Sequence, residues 1–262
     1  MNMYSFPRIL IAIFGTFLLA VSSTAQSIHL TDSQAERIGK RIWQNESAGT
    51  ISGLTAWNSG EGFASLGIGH FIWYPTGHRE GFEESFPLLI RYFSSQGVQV
   101  PNWLKTSTAC PWPNRSAFLA DKESARMKEL RLLLAETVPI QARFTAARLE
   151  SALPKMLAAV PADHQERIRT NFYRVAAEPL GMYALIDYVN FKGEGTLATE
   201  RYNGEGWGLL QVLDGMGNGP ATQEFSISAD RVLTRRVANS PVARGEARWL
   251  PGWKNRVKTY GS

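Results

Sequence analysis

The chain is predicted to be α+β and predominantly α, a helical body with one small β-hairpin flanking a cleft. Three observations lead there. Apolar residues recur at helical spacing through most of the chain from Thr31 onward. One stretch, Thr50 to His70, instead sets two β-prone runs about the turn cluster Asn58-Ser59-Gly60-Glu61-Gly62. No internal repeat or low-complexity linker interrupts the rest, and 44% hydrophobic with 11% aromatic content in 262 residues suits one continuous core.

Taken in order, Arg8 precedes an apolar run from Ile9 to Val21 and the small residues Ser22-Ser23-Thr24-Ala25. That is the pattern of a cleaved export signal over residues 1–25, and the run is too short for a confident spanning helix. A single domain over residues 26–262 follows, periplasmic or extracellular, with no stable membrane span after cleavage. Thr31 with Gln34 forms a capping box, and Ala35, Ile38 and Ile42 carry a helix to Glu46-Ser47. The hairpin comes next, then a Pro-Trp-rich loop at 100–114. Asn114–Glu136 reads as one amphipathic helix. A second begins at Thr137-Val138-Pro139 and runs through Ala152, where Pro154 is expected to break it. Asp163 with Glu166 caps a helix to about Ala177, and Pro179–Phe191 forms another that ends at Gly193. A glycine-rich loop then leads to helices over Trp207–Leu213 and Ala221–Ala238.

Chemistry centres on Glu46. It stands at i+8 and i+4 from Ile38 and Ile42, on the apolar face of its helix. Burial there works against the charged form of a carboxyl, as a general acid requires. The hairpin would bring Ser65 and the backbone of Gly67 and Gly69 back toward this helix end, with Glu61 near its turn.

These residues resemble the lysozyme-like superfamily, in particular phage-type lysozymes, in which a helix ending in a catalytic Glu precedes a hairpin and a Thr-Ile-Gly-x-Gly-His segment. Ser65-Leu66-Gly67-Ile68-Gly69-His70 is similar to that segment. The resemblance implies a lysozyme-like fold, with Glu46 as general acid, Ser65 as the hydroxyl that positions water or substrate, and His70 as the brace of the hairpin. The family's second carboxylate is an Asp shortly before the glycines; the nearest acid here is Glu61, in a longer connection. Downstream, Gly206-Trp207-Gly208-Leu209-Leu210-Gln211 is similar to the Gly-Leu-Met-Gln segment of goose-type lysozymes and lytic transglycosylases, which also favour Glu-Ser at the acid.

Substrate contacts are expected from Gln211, from Glu205 in the glycine-rich loop, and from Trp57, Trp73, Tyr74 and Trp207, whose rings could stack on sugar faces. Asp187 and Asn190 could hydrogen-bond sugar or be satisfied internally. The implied activity is cleavage of β-1,4 bonds in peptidoglycan or a related polysaccharide, by hydrolysis or by transglycosylation, with no cofactor needed. A non-catalytic glycan- or partner-binding envelope protein is the alternative. Neither paired cysteines nor His-Glu-x-x-His is present to suggest a metal. Cys110, the only cysteine, can form no internal disulfide. Net charge is +5, a mild bias toward anionic surfaces, and nucleic acid is not an expected partner of an exported chain. The densest basic region, Arg231 to Lys258, is interrupted by acid and tryptophan and reads as a solvated face.

Overall fold

The computed structural model describes residues 27–80 and 83–261; the expected export signal lies outside them. Helix α1 spans Asp32–Ser47 and opens as its sequence predicts. The Thr31 hydroxyl accepts from the Gln34 N–H (3.2 Å), and Gln34 Oε1 accepts from the Thr31 N–H (2.9 Å). Ala35, Ile38 and Ile42 are buried along one side. The helix stops where Ala48 turns left-handed (φ 51°) and the Gly49 N–H bonds back to the Trp43 carbonyl (3.2 Å).

After a one-turn 3-10 helix at Ser52–Leu54 come β1 (Thr55–Ala56), β2 (Ala64–Leu66) and β3 (Phe71–Trp73), an antiparallel sheet in the order β1-β2-β3. The expected hairpin is therefore its first two strands, and Phe71–Trp73 adds a third beyond His70. Register places Ser65 opposite both Ala56 and Ile72, and Leu66 opposite Thr55 and Phe71. Opposed residues share a face. Ser65 thus lies with two partly exposed neighbours, while Leu66, Thr55 and Phe71 face the core.

Helices α2 (Phe86–Ser95), α3 (Asn102–Thr106), α4 (Arg115–Ala120) and α5 (Ala125–Glu136) complete the first half. The single helix expected over 114–136 is two, because Ser124 caps a fresh start by accepting from the Met127 N–H (3.0 Å). Helix α6 (Val138–Ala158) continues past Pro154 rather than ending at it. Leu149, Leu153, Met156 and Leu157 are buried on both sides of it, and that packing outweighs the hydrogen bond the proline forfeits. α1 and α6 lie antiparallel. Ile28 N–H reaches Glu150 (3.0 Å) at one end, and at Gly39 an added Cβ would meet Val138 Cγ1 at 2.7 Å.

The second half contains α7 (Ala162–Ala176), α8 (Gly181–Lys192), the short pair β4 (Arg201–Tyr202) and β5 (Glu205–Gly206), α9 (Leu209–Asp214), α10 (Ala221–Asn239) and α11 (Leu250–Lys258). Pro161, not Asp163, sits at the cap of α7; Asp163 lies in its first turn. One hydrophobic cluster runs from Ile38 on α1 through the sheet and α6 to Tyr260. The protein is α+β and predominantly α. Among the described residues no helix is long and apolar enough to cross a membrane.

Candidate functional site

The last turn of α1 presents Glu46 to two other elements. On one side is the β2–β3 turn, where His70, left-handed at φ 47°, places Nδ1 3.9 Å from Glu46 Oε2. On the other is α11, whose Arg256 Nη2 lies 3.4 Å from Glu46 Oε1. The Glu46 side chain is 23% exposed and that of His70 37%, so the carboxyl is partly sheltered and still reached by solvent.

The turn that carries His70 is fixed from behind. Gly67 N–H donates to the Leu54 carbonyl (2.8 Å), and Ile68 N–H donates to Gln141 Oε1 (3.0 Å). Gln141, fully buried on α6, uses its amide nitrogen on the Leu134 carbonyl (2.6 Å) and Thr137 Oγ1 (3.1 Å). Gly67 needs to be glycine: its φ is +71°, and a Cβ would meet Gln141 Oε1 at 2.4 Å.

Arg256 belongs first to Asp187. Its Nε and Nη2 hold the buried Asp187 carboxylate at 2.8 and 2.7 Å, shorter than its reach to Glu46, and the Tyr260 hydroxyl donates to the same carboxylate. These Asp187 bonds push the Arg256 guanidinium further into its charged form, against the cost of burial. Burial, with the Asp187 charge, pushes the Tyr260 phenol far up, so it serves as a fixed donor. On α1, Arg41 and Asn45 stand at i and i+4. Arg41 lies over the Tyr183 ring (5.5 Å), and Asn45 Nδ2 donates to Tyr183 Oη (2.6 Å). Tyr183 and Asp187, also i and i+4, therefore tie α8 to α1 and α11.

Other expected site residues are placed differently. Glu61 is turned into its own loop: its carbonyl accepts from Trp57 Nε1 (2.7 Å), its Oε1 accepts from Asn58 Nδ2 (3.1 Å), and its Oε2 is buried without a partner. No ion pair or hydrogen bond joins it to Glu46, Ser65 or His70 among the described residues. Gln211 spends both ends of its amide on backbone, accepting from the Gly208 N–H (2.9 Å) and donating to the Gly195 carbonyl (3.2 Å). It locks the glycine-rich loop against α9. Glu205 is exposed and paired with Arg235 (3.2 Å). Trp57, Trp73, Tyr74 and Trp207 are core residues. Trp57 packs on Phe118, Trp73 on Phe86 and Trp112, Tyr74 on Phe63, and Trp207 on Tyr202 with Arg236 over its ring. Their faces are taken by protein.

A cleft of about 640 Å³ opens between α6 and α8 and is walled by Thr145, Arg148, Ser151, Lys155, Asn190 and Glu194 among others. Glu46, His70 and Arg256 do not line it. No group of three or more acidic, His or Cys side chains suited to a metal occurs among the described residues.

The sequence reading did not single out Arg256, Tyr260 or Gln141. Arg256 and Tyr260 do stand four apart, but nothing local distinguishes Arg256 from Lys254 and Lys258 beside it. Compared with family models, with curated proteins and with solved structures, the chain matches none.

Proposed function

We propose that the protein is an exported peptidoglycan-cleaving glycosidase, a muramidase or lytic transglycosylase on a lysozyme-like fold, with Glu46 as general acid. The observation that carries this is the meeting of Glu46 with His70 across 3.9 Å: a sheltered carboxyl at a helix end, faced by the glycine-bearing turn.

Of the two chemical courses, the one that needs a single carboxyl fits the geometry better, since Glu61 is engaged within its own loop. Glu46 would give its proton to the leaving O4 as the C1–O4 bond breaks and an oxocarbenium-like centre develops. Its carboxylate would then take the proton of the muramyl 6-hydroxyl as that oxygen bonds to C1, leaving a 1,6-anhydro end. Hydrolysis would instead need water activated opposite the acid. Ser65 is the hydroxyl nearest the glycine turn in sequence. Neither course calls for a cofactor.

The test is muropeptide release from purified sacculi by the parent and by Glu46→Gln, with anhydro-muramyl ends diagnosing the intramolecular course. Loss of a positioned acid should lower the rate about 10²–10⁴-fold. Equal release by both proteins would remove Glu46 from the mechanism. The second reading, a non-catalytic glycan- or partner-binding envelope protein, draws on the 640 Å³ cleft that lies apart from Glu46. Sacculus binding without release by either protein would favour it.

A further inference from the structure

From Arg231 to Lys258 there are eight cations and a single acid, Glu246; Arg235, Lys254 and Arg256 are paired with Glu205, Asp230 and Asp187, which leaves Arg244 and Arg248 as the cations of the segment between α10 and α11. Glu246 adds no negative charge to the surface. Its side chain is fully buried, bonded to Arg236 (2.9 and 3.0 Å), to Arg244 (3.1 Å) and to the Tyr202 hydroxyl (2.9 Å). Over it runs a knuckle of two 3-10 turns, Val242–Arg244 and Glu246–Arg248, ending in α11.

The knuckle is apolar at its outermost points. Val242 is 97% exposed and Trp249 41%, and Pro241, Ala243, Ala247 and Pro251 are exposed beside them. Among the described residues Arg248 has no ion pair; it stacks over Trp249 (4.6 Å), while Arg244 keeps over half its surface in water. Other exposed large apolar side chains, Ile51, Leu132, Leu197 and Ile227, come from four separate parts of the chain.

We propose that this knuckle docks on an anionic lipid bilayer, with Val242 and Trp249 entering the interfacial layer and Arg244 and Arg248 meeting lipid phosphates. Charge complementarity selects an anionic partner. An anionic polymer would use the arginines alone and leave Val242 in water, whereas a bilayer accommodates both: an indole settles at the headgroup level and aliphatic groups enter below it. This inference stands whether or not Glu46 is catalytic.

The experiment is co-sedimentation of the full chain with sucrose-loaded vesicles of phosphatidylcholine alone and of phosphatidylcholine mixed with phosphatidylglycerol. The parent is compared with Val242→Ser and Arg248→Gln. Both positions are solvent-exposed, so folding is retained, which a thermal melt checks. Because the chains differ at one residue, any contribution of residues 1–25 is common to all. Binding to the anionic vesicles should exceed binding to the neutral ones. Arg248→Gln should weaken it about fivefold, the worth of one basic residue near such a surface. Val242→Ser should weaken it severalfold. Equal binding to the two vesicle types would overturn the proposal. So would unchanged binding of Val242→Ser, including the case in which Arg248→Gln alone weakens binding and soluble polyanion competes for the same site.

Discussion

Gln141→Leu should loosen the turn that carries His70, and the size of the effect follows from its bonds. Leucine nearly matches glutamine in volume, so no cavity opens, but three hydrogen bonds vanish. Thr137 Oγ1 keeps its bond to the Leu133 carbonyl (2.7 Å). The buried Ile68 N–H loses its acceptor outright, and the Leu134 carbonyl is left with only a long contact to Thr137 Oγ1 (3.5 Å). At about 1–3 kcal/mol for each orphaned group, less about 1–2 kcal/mol returned by burying an aliphatic side chain, the net loss is about 3 kcal/mol. For a chain of this size that corresponds to a fall in Tm of about 6–12 °C. Urea denaturation measures the loss, and hydrogen exchange at Ile68 localises it. A stability loss under about 1 kcal/mol, or an Ile68 amide as protected as in the parent, would refute the claim that Gln141 anchors the turn.

Four further outcomes follow from the same kind of reasoning. Gly67→Ala should cost about 2 kcal/mol or more, since the left-handed backbone and the Gln141 contact both oppose a Cβ. Gly77→Ala, with φ +75° but open space around it, should cost less in the same denaturation series. Glu246→Gln should destabilise by about 3 kcal/mol, because it leaves Arg236 and Arg244 facing a neutral amide at a buried site; a change within error in urea would contradict this. Lys192, whose ammonium lies 3.3 Å from the Trp253 ring centre, is pushed down to about 7 by burial and by the Arg236 and Arg256 charges. Its proton is therefore held more weakly in the folded chain than in the unfolded one. The penalty is complete below about pH 7 and is relieved as pH rises toward the ordinary lysine value near 10.4. Lys192→Met should accordingly gain most in Tm over the parent at about pH 6 and least at about pH 10, and a constant difference would refute the assignment.

Local chemistry was legible where it acts within a few residues. Thr31 and Gln34 specify their capping box by spacing alone, and Ile38 and Ile42 specify the buried side of α1. The turn cluster at Asn58–Gly62 specifies the β1–β2 pairing. Pro154 misleads because the price of a missing N–H is local, whereas the packing of Leu153 and Leu157 that keeps α6 whole is tertiary. The aromatic residues near the motifs mislead for a related reason: a tryptophan has the same composition signature in a core as in a sugar site, and only its neighbours decide. Around Glu46 the sequence gives His70, twenty-four positions away, through its glycine pattern. It gives no sign of Arg256, because an ion pair between residues 46 and 256 has no periodicity to read.

That separation has a consequence for biosynthesis. The helix bearing Glu46 is made early, yet the cation beside it and the Tyr260 hydroxyl that steadies Asp187 are added some 210 residues later. A nascent chain still short of α11 would carry the carboxyl without its electrostatic frame, and a stalled or clipped product would emerge with that corner unfinished. Assembly of the neighbourhood is thereby coupled to completion of translation through residue 260.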